Sequence, residues 1–219
     1  MRLHLIRHGQ SSNNALPEYQ RVHDPHLTDV GQLQAERLGA WAETTELDVL
    51  LVSPFRRTLQ TAAPIRRVTR LAPRIWTDLH ERGGCYSGWQ PSNFRGCPGF
   101  TDAEIREFFP DAIVEDPIDH RGWWRSRDRE SDDQAIERAA RVIDRLKRTF
   151  LGTSVRIACV MHADFKKLVT AQLFDRDHEP HLPSPYRNAS ISTIDFAPDG
   201  RAMLVVENDV AHLDPSLRT

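Results

Sequence analysis

The sequence predicts an α/β fold: a three-layer α/β/α sandwich with a largely parallel central sheet and a cap-like insertion. Three observations carry that expectation. Short apolar runs alternate with longer stretches of helical period, the order expected of parallel strands joined by crossover helices. The runs at 47–52 and 155–161 are almost continuously apolar, as strands covered by helices on both faces must be. The chain has 219 residues, 39% hydrophobic and 27% charged, which is enough to bury one core and excludes disordered and fibrous classes. A single domain over residues 1–219 is expected.

Leu3 to Ile6 is β-prone and runs into a polar loop from Arg7 to Asn14. Thr28 is an N-cap candidate, and Val30, Leu33, Leu38 and Trp41 follow at near-helical spacing, so 28–44 reads as an amphipathic helix. Leu47 to Val52 is the next strand. Ser53-Pro54 then signals a helix start, and Thr58 to Val68 continues as helix with a disturbance at Pro64. A short segment from Ile75 to Leu79 precedes residues 82–127, whose Gly, Pro, Arg and Trp content reads as an insertion. Ser131 to Leu151 returns to helix, with Ala135, Ile136, Ala139, Val142, Ile143 and Leu146 on one face. Val155 to Met161 reads as a buried strand and Lys166 to Phe174 as helix. Ile191 to Phe196 and Ala202 to Val206 form a hairpin around Pro198-Asp199-Gly200.

In open α/β sheets ligands sit beyond the carboxyl ends of the strands. Those ends read Arg7-His8-Gly9-Gln10-Ser11, Ser53-Pro54-Phe55-Arg56-Arg57, Leu79-His80-Glu81-Arg82 and His162-Ala163-Asp164. Arginine offers a fixed fork of donors to phosphate oxygens, and histidine is a covalent nucleophile or a donor, so the set suits a phosphoryl group.

These motifs resemble the histidine phosphatase superfamily, also called the phosphoglycerate mutase-like superfamily. Leu5-Ile6-Arg7-His8-Gly9-Gln10-Ser11 is similar to the family signature, in which the histidine becomes phosphorylated, and Asn14 falls where an asparagine contacts phosphate. Leu27-Thr28-Asp29-Val30-Gly31-Gln32 resembles the entry to the family's first helix. Ser53 to Ala62 resembles the second motif, with Arg57 at its phosphate-binding arginine. Glu81 matches the family acid, His162 the second histidine, and Asn188-Ala189-Ser190 the opening of a late strand. The ordered matches span residues 3–196 and leave the insertion without a counterpart. Ala163 departs from the glycine common after the second histidine, and Asp164 lies one residue beyond the acid position of the acid phosphatase branch. Glu81 is therefore the preferred proton donor and Asp164 the lesser candidate.

The resemblance implies a metal-independent phosphomonoesterase acting on a small phosphorylated metabolite through a phosphohistidine, with inorganic phosphate as product and no cofactor. His8 is the expected nucleophile. Arg7, Arg57 and a charged His162 would hold the phosphoryl oxygens, and Glu81 would serve as acid and base. Gln10, Ser11, Asn14, Ala163 and Arg82 are the expected substrate-binding residues. A phosphoglycerate-type mutase and a catalytically silent binding or regulatory member are the rival readings.

The remaining features argue for little else. A formal charge of −2 leaves no basic field for nucleic acid. His4 and His8 have helical metal-pair spacing, but a strand separates them by roughly 13 Å, so no metal is expected. His178 and His181 read as solvated, and no phosphate-cradling glycine loop is present. Trp123 and Trp124 read as core of the insertion. Cys85, Cys97 and Cys159 form no C-x-x-C pair, which fits a reducing compartment. The first apolar run is too short for a signal peptide, and no stretch reaches the roughly 20 apolar residues of a membrane helix. A cytoplasmic protein without membrane partners is expected.

Overall fold

The structure, a computed structural model, describes residues 1–177 and 184–219, so His178 and His181 lie outside the described residues. In chain order the elements are β1 (Arg2–Arg7), α1 (Ser12–Ala15), α2 (Asp29–Glu43), β2 (Val49–Val52), α3 (Arg56–Thr69) and β3 (Arg74–Ile75). Then come β4 (Tyr86–Ser87), β5 (Arg95–Gly96), α4 (Asp102–Phe108), β6 (Ile113–Val114) and α5 (Asp132–Phe150). The chain closes with β7 (Arg156–Met161), α6 (Ala163–Leu173), β8 (Ile191–Phe196) and β9 (Ala202–Asp209).

Seven strands form one sheet in the order β6-β3-β2-β7-β1-β8-β9. The first five are mutually parallel, and the final hairpin adds β8 and β9 antiparallel. The two-residue period of each strand divides its side chains between two cores. Leu3, Leu5, Leu51, Ile157, Cys159 and Met161 face α5 and α6. Ile6, Leu50, Val52, Ala158 and Val160 face α2, α3 and α4. That division makes the three-layer sandwich.

Several elements differ from the sequence expectation. The buried stripe of α2 is Gly31, Gln34, Ala35, Leu38, Gly39 and Ala42, whereas Leu33 is 55% exposed. Small residues win because α2 lies close on α3: a methyl at Gly39 would stand 2.9 Å from Pro64 Cβ. Pro64 sits inside α3 without ending it. The loop after β1 contains a one-turn helix, α1. The third strand stops at Ile75, and a 3-10 turn over Thr77–Leu79 carries the chain to Glu81. Residues 82–127 do two things: β4 and β5 form a separate hairpin, while α4 buries Ile105 and β6 extends the main sheet beside β3.

Candidate active site

β1 and β7 are parallel neighbours with Arg7 opposite Met161, so the residues following them, His8 and His162, emerge side by side. Their ring centroids are 5.2 Å apart. His8 is 3% exposed, and its two ring nitrogens have different partners. Nδ1 lies 2.7 Å from the Gly9 carbonyl, which can only accept, so Nδ1 carries the proton. Nε2 is left as an acceptor, 3.1 Å from the Nε–H of Arg57. Burial, reinforced by Arg57 and Arg7, holds His8 well below the ordinary histidine range and keeps the imidazole neutral.

Arg57 is placed by the first turn of α3. Its guanidinium stacks on Phe55, 4.2 Å from the ring centroid, and approaches Asp24 at 3.8 Å. Asp24 also accepts the Arg56 backbone N–H, and burial pushes its carboxyl up to about 6 against the pull of Arg57. Arg7 donates from Nη1 to the Tyr186 carbonyl at 2.5 Å, while its buried Nε has no partner among the described residues.

His162 caps α6 from the end of β7 and contacts Ser53 Oγ through Nε2 at 2.8 Å. Its buried Nδ1 also lacks a partner among the described residues, and burial beside Arg57 and His8 keeps the ring neutral. The charged His162 expected from the sequence is a property of the phosphate-bound site, where a dianion would face the ring. Glu81 Oε1 accepts the backbone N–H groups of Arg82 at 2.8 Å and Phe165 at 3.0 Å, the latter in the first turn of α6. Burial first, then the charge of Asp164, pushes the Glu81 carboxyl up to about 7.

These groups open on one cavity of about 650 Å³, lined among others by Arg7, His8, Ser11, Asn14, Arg57, Glu81, Arg82, Ala163 and Asp164. His162 lies behind this surface. Asn14 Oδ1 accepts from Ser11 Oγ at 2.9 Å and from Asn188 Nδ2 at 3.1 Å, so both Ser11 and Asn14 shape the loop as well as face the cavity. Arg82 bridges Asp132 and Asp164 at 3.4 and 3.7 Å.

Gln10 is outside the cavity lining. Its Oε1 accepts from Thr28 Oγ1 at 2.8 Å and its N–H donates to Gln34 Oε1 at 2.7 Å, which ties the loop to the start of α2. Trp123 and Trp124 pack with Phe55 and Cys85 in a small third core. Sequence reasoning missed Asp24, Ser53 as the partner of His162, and the Tyr86, Phe94 and Arg129 wall. Only the Asp24-Pro25 step before the helix entry marks any of them in the sequence.

The sequence pattern of the histidine phosphatase superfamily, branch 1, matches residues 3–209. An acid phosphatase of Mycobacterium tuberculosis is 34% identical over 115 residues, 52% of this chain and 50% of that protein. Phosphoserine phosphatase 1 of Hydrogenobacter thermophilus is 37% identical over 71 residues, 32% of this chain and 34% of that protein. The matched stretches thus span half or less of these curated relatives. Among solved structures, a mycobacterial glucosyl-3-phosphoglycerate phosphatase with VO3 superposes at a TM-score of 0.65 and 22% identity, covering 95% of this chain and 99% of that one. That likeness is one of fold.

Proposed function

The chain belongs to the histidine phosphatase superfamily, branch 1, and from that premise we propose that it is a metal-independent phosphoric monoester hydrolase working through a phosphohistidine. The observation that carries the reading is the state of His8: a neutral imidazole with its proton held on Nδ1 and its Nε2 lone pair turned to a guanidinium. Such a nitrogen is a nucleophile without further deprotonation.

In the first step His8 Nε2 forms a bond to phosphorus as the bond to the leaving oxygen breaks. Glu81, protonated in an appreciable fraction near neutrality, gives its proton to that oxygen. Arg57 and Arg7 meet the charge spread over the other oxygens, and the unpartnered Arg7 Nε and His162 Nδ1 are groups an oxyanion would satisfy. The incoming dianion supplies the counter-charge that favours an imidazolium at His162. In the second step Glu81, now a carboxylate, takes a proton from water as water attacks phosphorus. The P–N bond breaks, inorganic phosphate leaves and His8 is restored. Uncatalysed monoester hydrolysis is slow enough that this positioning must lower the barrier by on the order of 20 kcal/mol.

A small phosphorylated metabolite is the proposed substrate, and the part of 82–127 that lines the cavity, around Tyr86 and Phe94, is proposed as its specificity cap. Among the described residues no helix is long and apolar enough to cross a membrane.

The test is phosphate release from a panel of phosphomonoesters with chelator present, beside His8→Ala. Chelator-resistant release abolished by His8→Ala is expected. Near-normal release by the variant would overturn the mechanism, and phosphate returned to a second hydroxyl of phosphoglycerate instead of water would favour a mutase.

A further inference from the structure

The cavity is far larger than a phosphoryl group needs, and its outer wall has a composition of its own. Tyr86 and Phe94 of the β4–β5 hairpin meet edge to face at 4.9 Å. The Arg129 guanidinium lies over both rings, 5.3 and 5.1 Å from their centroids. All three line the same cavity as His8 and Arg7.

Arg129 shares with Arg7, and with none of the other arginines lining this cavity, the lack of an ion pair among the described residues. Arg21 is matched by Glu18 at 3.1 Å, Arg57 by Asp24, and Arg82 by Asp132 and Asp164. Arg129 has no carboxylate within ion-pair range among the described residues, and its Nε is buried without a partner. Aromatic faces stabilise a guanidinium but leave its in-plane N–H donors unused.

The placement is built into the fold. Gly83, at φ +92, has no side chain where a methyl would stand 2.9 Å from Tyr86 and 3.2 Å from Arg129 Nε. The neighbouring Glu130 bonds back to Gly83 twice, from its N–H to the carbonyl at 3.1 Å and by accepting the Gly83 N–H at 3.3 Å. Glu130 is itself clamped by Arg138 through two bonds of 2.8 and 2.7 Å. An arginine set on so fixed a base gives up little further entropy when it takes a ligand.

We infer that Arg129, stacked on Tyr86 and Phe94, is a second anion subsite, and that the substrate carries an acidic group, carboxylate or phosphate, besides the phosphoryl group delivered to His8. The inference rests on the phosphatase reading and narrows it. A planar guanidinium edge matches the two oxygens of either acid.

Two matched pairs test it. The first is 3-phosphoglycerate against glycerol 3-phosphate, which differ by a carboxylate; the second is a propanediol bisphosphate against its monophosphate. In the parent protein the acidic member of at least one pair is expected to have the higher kcat/KM, and the pair that responds identifies the acid. Arg129→Gln should shrink that ratio by about tenfold, mainly through KM, as loss of a charge-assisted bond predicts. Arg129→Lys, which keeps the charge and loses the fork, should restore it only in part. The same ratios read as dissociation constants in His8→Ala make the answer independent of turnover. A ratio near one in the parent, or one unaltered by Arg129→Gln, overturns the subsite. Loss of phosphate release in the parent itself would instead overturn the phosphatase reading.

Discussion

His8 and Glu81 sit within one cavity, yet burial acts on them in opposite senses: it keeps the imidazole unprotonated and raises the carboxyl's hold on its proton. The pH dependence follows with a definite sign. His8 stays neutral as pH falls through the ordinary histidine range, so the nucleophile imposes no acid limb there. Glu81 must hold a proton to assist the leaving oxygen, so kcat/KM should decline as pH rises through about 7. Glu81→Gln should lower kcat/KM on an alkyl phosphate by about 10²- to 10⁴-fold and flatten that limb. On an aryl phosphate, whose leaving group needs no proton, the loss in the phosphorylation step should be much smaller. Equal losses on both, or none on either, would remove Glu81 from the role of acid. Asp24 shows why some site residues were not legible: its carboxylate meets Arg57 only because the loop before α2 folds over the start of α3.

The elements were readable where one-dimensional period and burial coincide, as in α5, where Ala135, Ala139, Val142 and Leu146 all face the core. The reading of α2 found the helix, its Thr28 cap and Leu38 in the core, but by counting bulk it put exposed Leu33 on the same face. Close approach selects small residues, and the contact that matters is Gly31 against the loop carrying His8. A methyl at Gly31 would stand 1.9 Å from the Gln10 carbonyl oxygen, and one at Gly9 would stand 2.6 Å from the Gly31 carbonyl oxygen. Since the obstacle is backbone, the loop or the helix must move. Gly31→Ala should therefore cost about 1–3 kcal/mol in urea unfolding. It should also reduce turnover by displacing the residues after His8. A variant with parental stability and activity would show that the loop tolerates the shift.

Across the whole molecule, the site depends on two links between the sandwich and the segment above it. Arg138 of α5 is 1% exposed, pairs with Glu130, and donates to the carbonyls of Asp78 at 2.7 Å and His80 at 3.0 Å. It thereby ties the end of the hairpin region to the turn that presents Glu81. Arg138→Met should cost about 3–5 kcal/mol by leaving Glu130 buried and unpaired, and adding Glu130→Leu should recover part of that loss. Full additivity of the two would deny the coupling. The second link is topological: β6 leaves the 82–127 segment to extend the main sheet beside β3, so that segment is also held by the sheet. By itself the sequence determined the α/β class, the order of the main strands and helices outside residues 82–127, and the loop-end residues His8, Arg57, Glu81 and His162. Period, turn chemistry and motif spacing are local properties of a chain. The tertiary structure alone decided that Gln10 braces α2, that His162 meets Ser53, that Asp24 holds Arg57, and that Arg129 is stacked over the cavity without a carboxylate. Each depends on the approach of groups far apart in sequence and on the desolvation that approach imposes.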